Sequence, residues 1–445
     1  MKKGDYIKRF KDKKITMLGL GLLGRGINVA RFLAESDADL TITDLKYEEE
    51  LKTSIKKLSK YTNIVFHLGG HNKTDFRNAD MIPLDSPYIK EAKKNNIPIE
   101  MDASLFAMIA PKGVKIVGVT GTRGKSTVTH LIYHILSGAV SSDKGNIFIA
   151  GNIREVATLP LLKKIRTGDI VILELDSWQL QGFGDAKISP NIAVFTNFMR
   201  DHMNYYDGDM KQYFKDKANI FKYQKKEDLL FVGKDISKKY KLDARSTKLA
   251  TVPKTWKSKL LGNHNLENIT LAVSVCEALA VSMRDIKKGV ETFAGVPGRL
   301  EYICEKRDIK YYNDTTATTP DALQVALQSL VGGKKKNIIL IAGGNDKKLD
   351  YKEVAGVINK TVKSLILFGG TATQKLLKLI DENSENFFDV RNLSVVDNMK
   401  DAVSVARNVA KSGDIILLSP GATSFGIFKN EFDRGEQFVK LVKSK

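Results

Sequence analysis

Short unbroken apolar runs alternate along the whole chain with longer segments whose apolar residues recur every three or four positions. IVILEL (170–175), NIAVFT (191–196), NIILIAG (337–343), SLILFG (364–369) and IILLS (415–419) are runs of the first kind, bounded by glycine or polar turns. Such runs suit strands covered on both faces. NVARFLAES (28–36), ENITLAVSVCEALAV (267–281) and the segment from Pro320 to Leu330 have helical spacing. Strand followed by helix throughout predicts an α/β fold of parallel sheets flanked by helices.

The punctuation divides the chain into three such units. The first, 1–110, opens with a strand into Gly19-x-Gly21-x-x-Gly24 and a second strand, LTITD, ending at Asp44; further short strands NIVFHLG, ADMIPL and IPIEMD follow. It closes where APKG breaks the pattern, and it reads as Rossmann-like. The second, 111–297, carries the glycine run GVTGTRGKST between a strand and a helix and therefore reads as a central P-loop ATPase-like domain with a parallel sheet, ending near AGVPGR. The third, 298–445, reads KYYND, helix, IILIAGG, helix, SLILFGG, helix, IILLSPG and a final amphipathic helix, again Rossmann-like.

Composition changes this picture little. With 42% hydrophobic and 27% charged residues the 445-residue chain is of ordinary globular type. No apolar run approaches the roughly 20 residues a membrane span needs, so no membrane insertion is expected. The basic start MKKGDYIKRFKDKK lacks the apolar core of a signal peptide, and two cysteines in no motif suit a reducing cytoplasm. The net charge of +20 is spread along the chain rather than gathered in a stripe. A lysine-rich surface that attracts anionic nucleotides explains it better than a nucleic-acid groove.

The chemistry centres on GVTGTRGKSTVTH (118–130). A strand enters a glycine turn and a helix leaves it, the arrangement that wraps a polyphosphate in backbone N–H groups and aims a helix N-terminus at it. Lys125 reaches toward the β- and γ-phosphates and Ser126 toward Mg²⁺. The spacing is one residue shorter than the common phosphate loop, a GTxGK[ST] variant. Glu174 ends an apolar strand, where a carboxylate faces a phosphate loop and suits Mg²⁺, while Asp176 two residues on serves equally as a helix cap. His202 and Asp201 follow another strand end. Lys217, fifteen positions later, acts as a metal ligand only as a carbamate. Asp44 stands near where an acidic residue meets ribose in dinucleotide folds. NDTTATTP (313–320), GGNDKK (343–348) and SPGATSF (419–425) all fall at strand ends and together suit an anionic small molecule.

Taken in order, GLGLLGRG, GVTGTRGKST, ELDSWQL, DHMNYY with Lys217, GNHNLEN, VPGRLE, NDTTAT and LSPGATSFGIFKN resemble the Mur ligases of bacterial peptidoglycan synthesis over nearly the whole chain. The resemblance implies a UDP-substrate domain, a central ATPase domain and an amino-acid domain. It implies that Gly121, Thr122, Gly124, Lys125, Ser126 and Thr127 hold ATP phosphates, and that Asn265, Asn268, Arg299 and Asp314 serve the rest of the nucleotide. Ser126, Glu174, His202 and a carbamylated Lys217 would place two Mg²⁺ ions. Gly21, Leu22, Leu23, Asp44, Lys46 and Asn152 would meet the UDP-linked substrate, and Thr318, Lys347 and Ser424 the incoming amino acid.

The implied reaction is ATP-dependent amide formation on a UDP-muramoyl substrate through an acyl phosphate, in the cytoplasm, by a chain that needs no partner subunit. ELDSWQL and SPGATSF favour the branch that adds D-glutamate to UDP-N-acetylmuramoyl-L-alanine. Three departures stand out: Arg123 in place of a common asparagine, SPY (86–88) in place of SPG, and Thr316 where DSKAT has its lysine. NDTTATTPDAL drifts toward the branch that adds a diamino acid. The remaining alternatives are a sibling ligase adding L-glutamate or a diamino acid, a folylpolyglutamate-type enzyme, a P-loop NTPase acting on nucleic acid, and an NAD-dependent oxidoreductase.

Overall fold

The computed structural model describes residues 6–21, 24–77, 82–83, 94–139, 145–154, 156–203, 205–242, 246–331, 336–382, 392–424 and 426–444. Leu22, Leu23, the SPY stretch and Phe425 therefore lie outside the described residues. The chain forms two compact units, one of Met1–Trp256 with Glu267–Val290, the other of Lys257–Leu266 with Glu291–Lys445.

The first unit holds two large parallel sheets. β1 (Lys14–Leu18), β2 (Asp39–Asp44) and β3 (Ile64–Leu68) pair in chain order. A short parallel pair, β4 (Ile82–Pro83) and β5 (Ile99–Glu100), accompanies them. The second sheet contains β6 (Lys115–Thr120), β7 (Ile147–Gly151), β8 (Ile170–Glu174), β9 (Ile192–Phe195) and β10 (Leu229–Val232), in the order β10-β9-β6-β8-β7. From β6 the chain goes to one side for β7 and β8, then crosses to the other for β9 and β10. A crevice must open beyond the carboxyl end of β6, where ligands bind in open α/β sheets. One apolar core, from Phe10 and Phe32 through Phe106 to Phe183 and Phe195, serves both sheets. That shared burial is why they form a single unit.

The second unit is a six-stranded sheet, β11 (Glu301–Lys306), β12 (Ile309–Asn313), β13 (Ile338–Gly343), β14 (Val362–Phe368), β15 (Leu393–Val396) and β16 (Ile415–Leu418), ordered β11-β12-β16-β13-β14-β15. Two apolar clusters cover its two faces, one around Leu340 and Leu367, the other around Ile341 and Phe438. β13 is buried along its whole length, as its unbroken apolar run requires.

Two features depart from the sequence reading. β11 pairs antiparallel with β12 through a turn in which Arg307 and Asp308 take φ of 52° and 60°. Two left-handed residues are what a tight hairpin needs, but Arg-Asp lacks the glycine that advertises one. The helix expected after GNHN already begins at Asn263, directly after Gly262 at φ 89°. Among the described residues no helix is long and apolar enough to cross a membrane.

Candidate active site

The phosphate loop lies at the end of β6 and leads into the helix Lys125–Ala139. Its two glycines are required by space as well as by backbone angle. A Cβ on Gly121 (φ 143°) would stand 1.9 Å from Thr196 Oγ1, and one on Gly124 (φ 80°) 2.4 Å from Asn268 Oδ1. The loop is pinned to the end of β9: Thr122 N donates to Asn197 O (2.9 Å), Arg123 N to Asn197 Oδ1 (2.8 Å) and Thr196 Oγ1 to Arg123 O (2.5 Å).

Both site lysines converge on one carbonyl. Lys125 Nζ donates to Gly121 O at 3.1 Å and Thr122 O at 3.0 Å, and Lys217 Nζ to the same Gly121 O at 2.8 Å. Lys217 projects from the helix Met210–Lys222, is 1% exposed, and has its Nζ 5.0 Å from the Tyr213 ring centre. Burial, then the nearby Lys125 charge, holds its ammonium well below the usual lysine range, while Asp176, Asp201 and Glu174 oppose the shift. A neutral amine at that position is a nucleophile. Asp216, beside it in sequence, accepts from Gln181, Gln212 and Tyr206 and so anchors the helix turn that carries Lys217.

Glu174 closes β8 and is 3% exposed. Asp176 caps the helix Ser177–Asp185, its Oδ1 taking Gln179 N at 2.7 Å. His202 sits at φ 55°, its ring 4.6 Å from that of Trp178. Burial pushes its pKa down, helped by Lys217 and Lys125 and opposed by Asp201, so the imidazole is neutral and able to ligate. Asp201 joins the loops: its Oδ2 pairs with Arg123 at 2.8 Å and its Oδ1 accepts His202 N at 2.9 Å. Ser126 is buried at the start of the loop helix, next to the more open Thr127.

The glycine turn after β1 is organised by Asp44. Its Oδ2 accepts Leu20 N (2.9 Å) and Gly21 N (3.4 Å), and its Oδ1 accepts Lys46 N (3.0 Å). Part of the expected ribose-facing carboxylate is therefore engaged in shaping the turn. Asn152 follows β7, its backbone N–H donating to Glu174 O at 2.7 Å.

In the second unit, Asn265 and Arg299 line a cavity of about 330 Å³ with Lys259, Leu300, Tyr302 and Tyr312. Asn268 packs instead against Gly124 in the first unit. Three strand-end loops of the six-stranded sheet meet one another: Gly421 N donates to Ala317 O (2.8 Å), Asn345 and Thr423 exchange backbone bonds, and Lys347 Nζ reaches Thr318 Oγ1 (3.3 Å). Ser424 is buried at the end of the last of these loops. Thr316 binds the VPGR turn twice, through N (3.1 Å) and Oγ1 (2.9 Å), both to Gly298 O. Underneath, the fully buried Arg434 donates to Thr315 O at 2.8 Å, Thr315 Oγ1 at 3.1 Å and Ala422 O at 3.4 Å. Arg434 has no signal in the sequence around it, and the only signal for Arg25 is its place in the GLGLLGRG run.

Asp314 gives a pH test. Leu300 N donates to its Oδ1 (2.9 Å) and Ser419 Oγ to its Oδ2 (2.8 Å), yet burial pushes its carboxyl up to about 7. The folded state then holds this proton more tightly than the unfolded chain. Stability falls as pH rises from the ordinary aspartate value of 3.8 to about 7 and is level above, a cost of about 4 kcal/mol at most. Asp314→Asn, which cannot ionise, should gain melting temperature relative to the parent between pH 5 and pH 8. A gap independent of pH would show that Asp314 is ionised throughout.

Comparison with known proteins gives this arrangement a family. The profile of the Mur ligase middle domain matches residues 119–254, and that of the Mur ligase glutamate ligase domain matches 298–421. The chain belongs to the Mur ligase family. It is 35% identical to the UDP-N-acetylmuramoylalanine–D-glutamate ligase of Roseiflexus sp. (strain RS-1), over 97% of this chain and 98% of that one. It is 33% identical to the enzyme of the same name from Borreliella afzelii (strain PKo), over 97% and 98%. Among solved structures it is similar in fold to the MurF ligase of Thermotoga maritima in complex with ADP, with a TM-score of 0.58, 17% identity, and 98% and 95% of the two chains covered. The UDP-N-acetylmuramate–alanine ligase MurC of the same organism gives 0.58, 16%, and 96% and 98%.

Proposed function

We propose that this chain is an ATP-dependent ligase of peptidoglycan-precursor synthesis that joins D-glutamate to UDP-N-acetylmuramoyl-L-alanine. The observation that carries the reading is the convergence of Lys125 and Lys217 on Gly121 O beneath a phosphate loop pinned to β9. Relatives of that name, matched end to end, support the choice of substrates. The reading divides the chain into a UDP-substrate domain (1–110), an ATP domain (111–297) and an amino-acid domain (298–445).

In this reading Gly21, Asp44, Lys46 and Asn152 hold the UDP-linked substrate so that its alanyl carboxylate faces the γ-phosphate of ATP. Gly121, Thr122, Gly124, Ser126 and Thr127 wrap the phosphates, while Asn265, Asn268, Arg299 and Asp314 bind the rest of the nucleotide. The carboxylate displaces ADP to give an acyl phosphate, and Lys125 offsets the charge on the transferring group. Thr318, Lys347 and Ser424 present glutamate, whose amine attacks the acyl carbon and expels phosphate. The Lys217 amine, whose neutral form burial favours, adds to CO₂ with loss of one proton, giving a carbamate. Mg²⁺ fits the residues present: a buried carboxylate at Glu174, a neutral imidazole at His202, the Ser126 hydroxyl and the Lys217 carbamate. Mg²⁺ takes few protein carboxylates and keeps several waters, so a site with one carboxylate and one imidazole suits it. When bound, it would neutralise phosphate charge.

Thr316 supports a second reading. It stands where the family pattern has a lysine, and its hydroxyl is spent on Gly298 O, so one cation near the incoming amino acid is missing. A sibling specificity would follow from that loss. Phosphate release from ATP, with UDP-N-acetylmuramoyl-L-alanine and Mg²⁺, separates the readings when D-glutamate, L-glutamate and meso-diaminopimelate are compared. We expect turnover with D-glutamate alone. Turnover with another amino acid would keep the chemistry and move the specificity, and silence with all three would refute both.

A further inference from the structure

The first helix after the glycine turn, Arg25–Ala34, begins with an arginine that reaches across the first unit to the loop after β7. Arg25 Nη2 donates to Asn152 Oδ1 at 3.2 Å and to Ile153 O at 3.3 Å. A guanidinium has no acceptor, so the side-chain atom of Asn152 that it touches must be the carbonyl oxygen. The amide is thereby fixed one way round, with its two N–H bonds turned from Arg25. The backbone of Asn152 cannot rotate to compensate. Its N–H is tied to Glu174 O at 2.7 Å, and the preceding Gly151 sits at φ 90° where a Cβ would meet that same oxygen at 2.1 Å. Asp102, held by Thr158 N (2.9 Å) and Leu159 N (2.7 Å), lies near the guanidinium; burial pushes its carboxyl up, and Arg25 is among the groups that oppose that shift.

We propose that Arg25 is a positioning residue for the UDP-linked substrate, locking Asn152 as a hydrogen-bond donor to an oxygen on the muramoyl side. This rests on the reading above, in which Asn152 meets that part of the substrate. Without Arg25 the amide can flip and present its oxygen to an oxygen, and an unmatched pair is costly in a half-enclosed site. Because Arg25 acts through Asn152, recognition of the uridine diphosphate end should not depend on it.

Calorimetric titration of the full chain tests this with two probes, UDP-N-acetylmuramoyl-L-alanine and UDP alone. Arg25→Met should weaken the first by about tenfold and leave UDP within twofold, the size of a lost charge-assisted hydrogen bond. Arg25→Lys should recover part of the loss. In an Asn152→Ala background Arg25→Met should cost nothing further, since both act on one contact. Melting curves verify folding, and Arg25→Gln replaces the methionine variant should that one not fold. Equal losses for UDP and the full substrate, no loss at all, or full additivity with Asn152→Ala would each overturn the assignment. Absence of binding by the parent chain would instead overturn the proposed substrate itself.

Discussion

Lys217→Ala is expected to lower turnover by about 10³-fold, the scale of losing a charge-stabilising group at a phosphoryl-transfer centre. Short carboxylic acids, fitting the space left by the side chain, should restore part of it. The reason is the surroundings rather than the residue type. Lys217 is almost wholly buried, and burial together with Lys125 lowers the pKa of its amine and so favours the neutral form, which is the form that adds CO₂. Three carboxylates lie close enough to oppose that shift, but they do not outweigh it. The pH dependence follows. If Lys217 carries the proposed carbamate, acid protonates the amine and releases CO₂, so activity of the parent enzyme should fall as pH drops and be partly held by added bicarbonate. The variant rescued by a carboxylic acid should ignore bicarbonate. Turnover of Lys217→Ala equal to that of the parent would remove Lys217 from the mechanism.

The sequence was legible where chemistry and periodicity coincide. Buried strands such as IILIAG and IVILE are unbroken apolar runs because helices cover both faces, and each ends where a polar residue becomes useful. Glu174, the phosphate loop and the three strand-end loops of the second unit are readable for that reason. What stayed hidden depends on partners distant in sequence. Nothing near Arg434 shows that it will be buried under Thr315 and Ala422, and nothing near Arg25 points 127 positions ahead to Asn152. The β11–β12 hairpin was missed because its turn residues, Arg307 and Asp308, accept left-handed angles without being glycine. Asp44 was singled out for a ligand, yet it also takes three backbone N–H bonds that no local pattern announces.

Gly121→Ala should be the most damaging single change in the phosphate loop. The new methyl would meet Thr196 Oγ1 at 1.9 Å, in a backbone conformation (φ 143°) that alanine avoids. Overpacking and strain together cost about 3–5 kcal/mol. The consequences spread because Thr196 cannot step aside freely: its hydroxyl holds Arg123 O, and Arg123 in turn holds Asp201 beside His202. The displaced residue also owns the carbonyl that both Lys125 and Lys217 use. We expect loss of nucleotide binding, measured with a non-hydrolysable ATP analogue, and a clear drop in melting temperature. Adding Thr196→Ala removes the clashing oxygen but not the strained angle or the dislocated lysines. The double variant should therefore regain part of the stability without regaining turnover. If it recovers both, steric relief alone governs the loop, and the shared Gly121 carbonyl is not what aligns the two lysines.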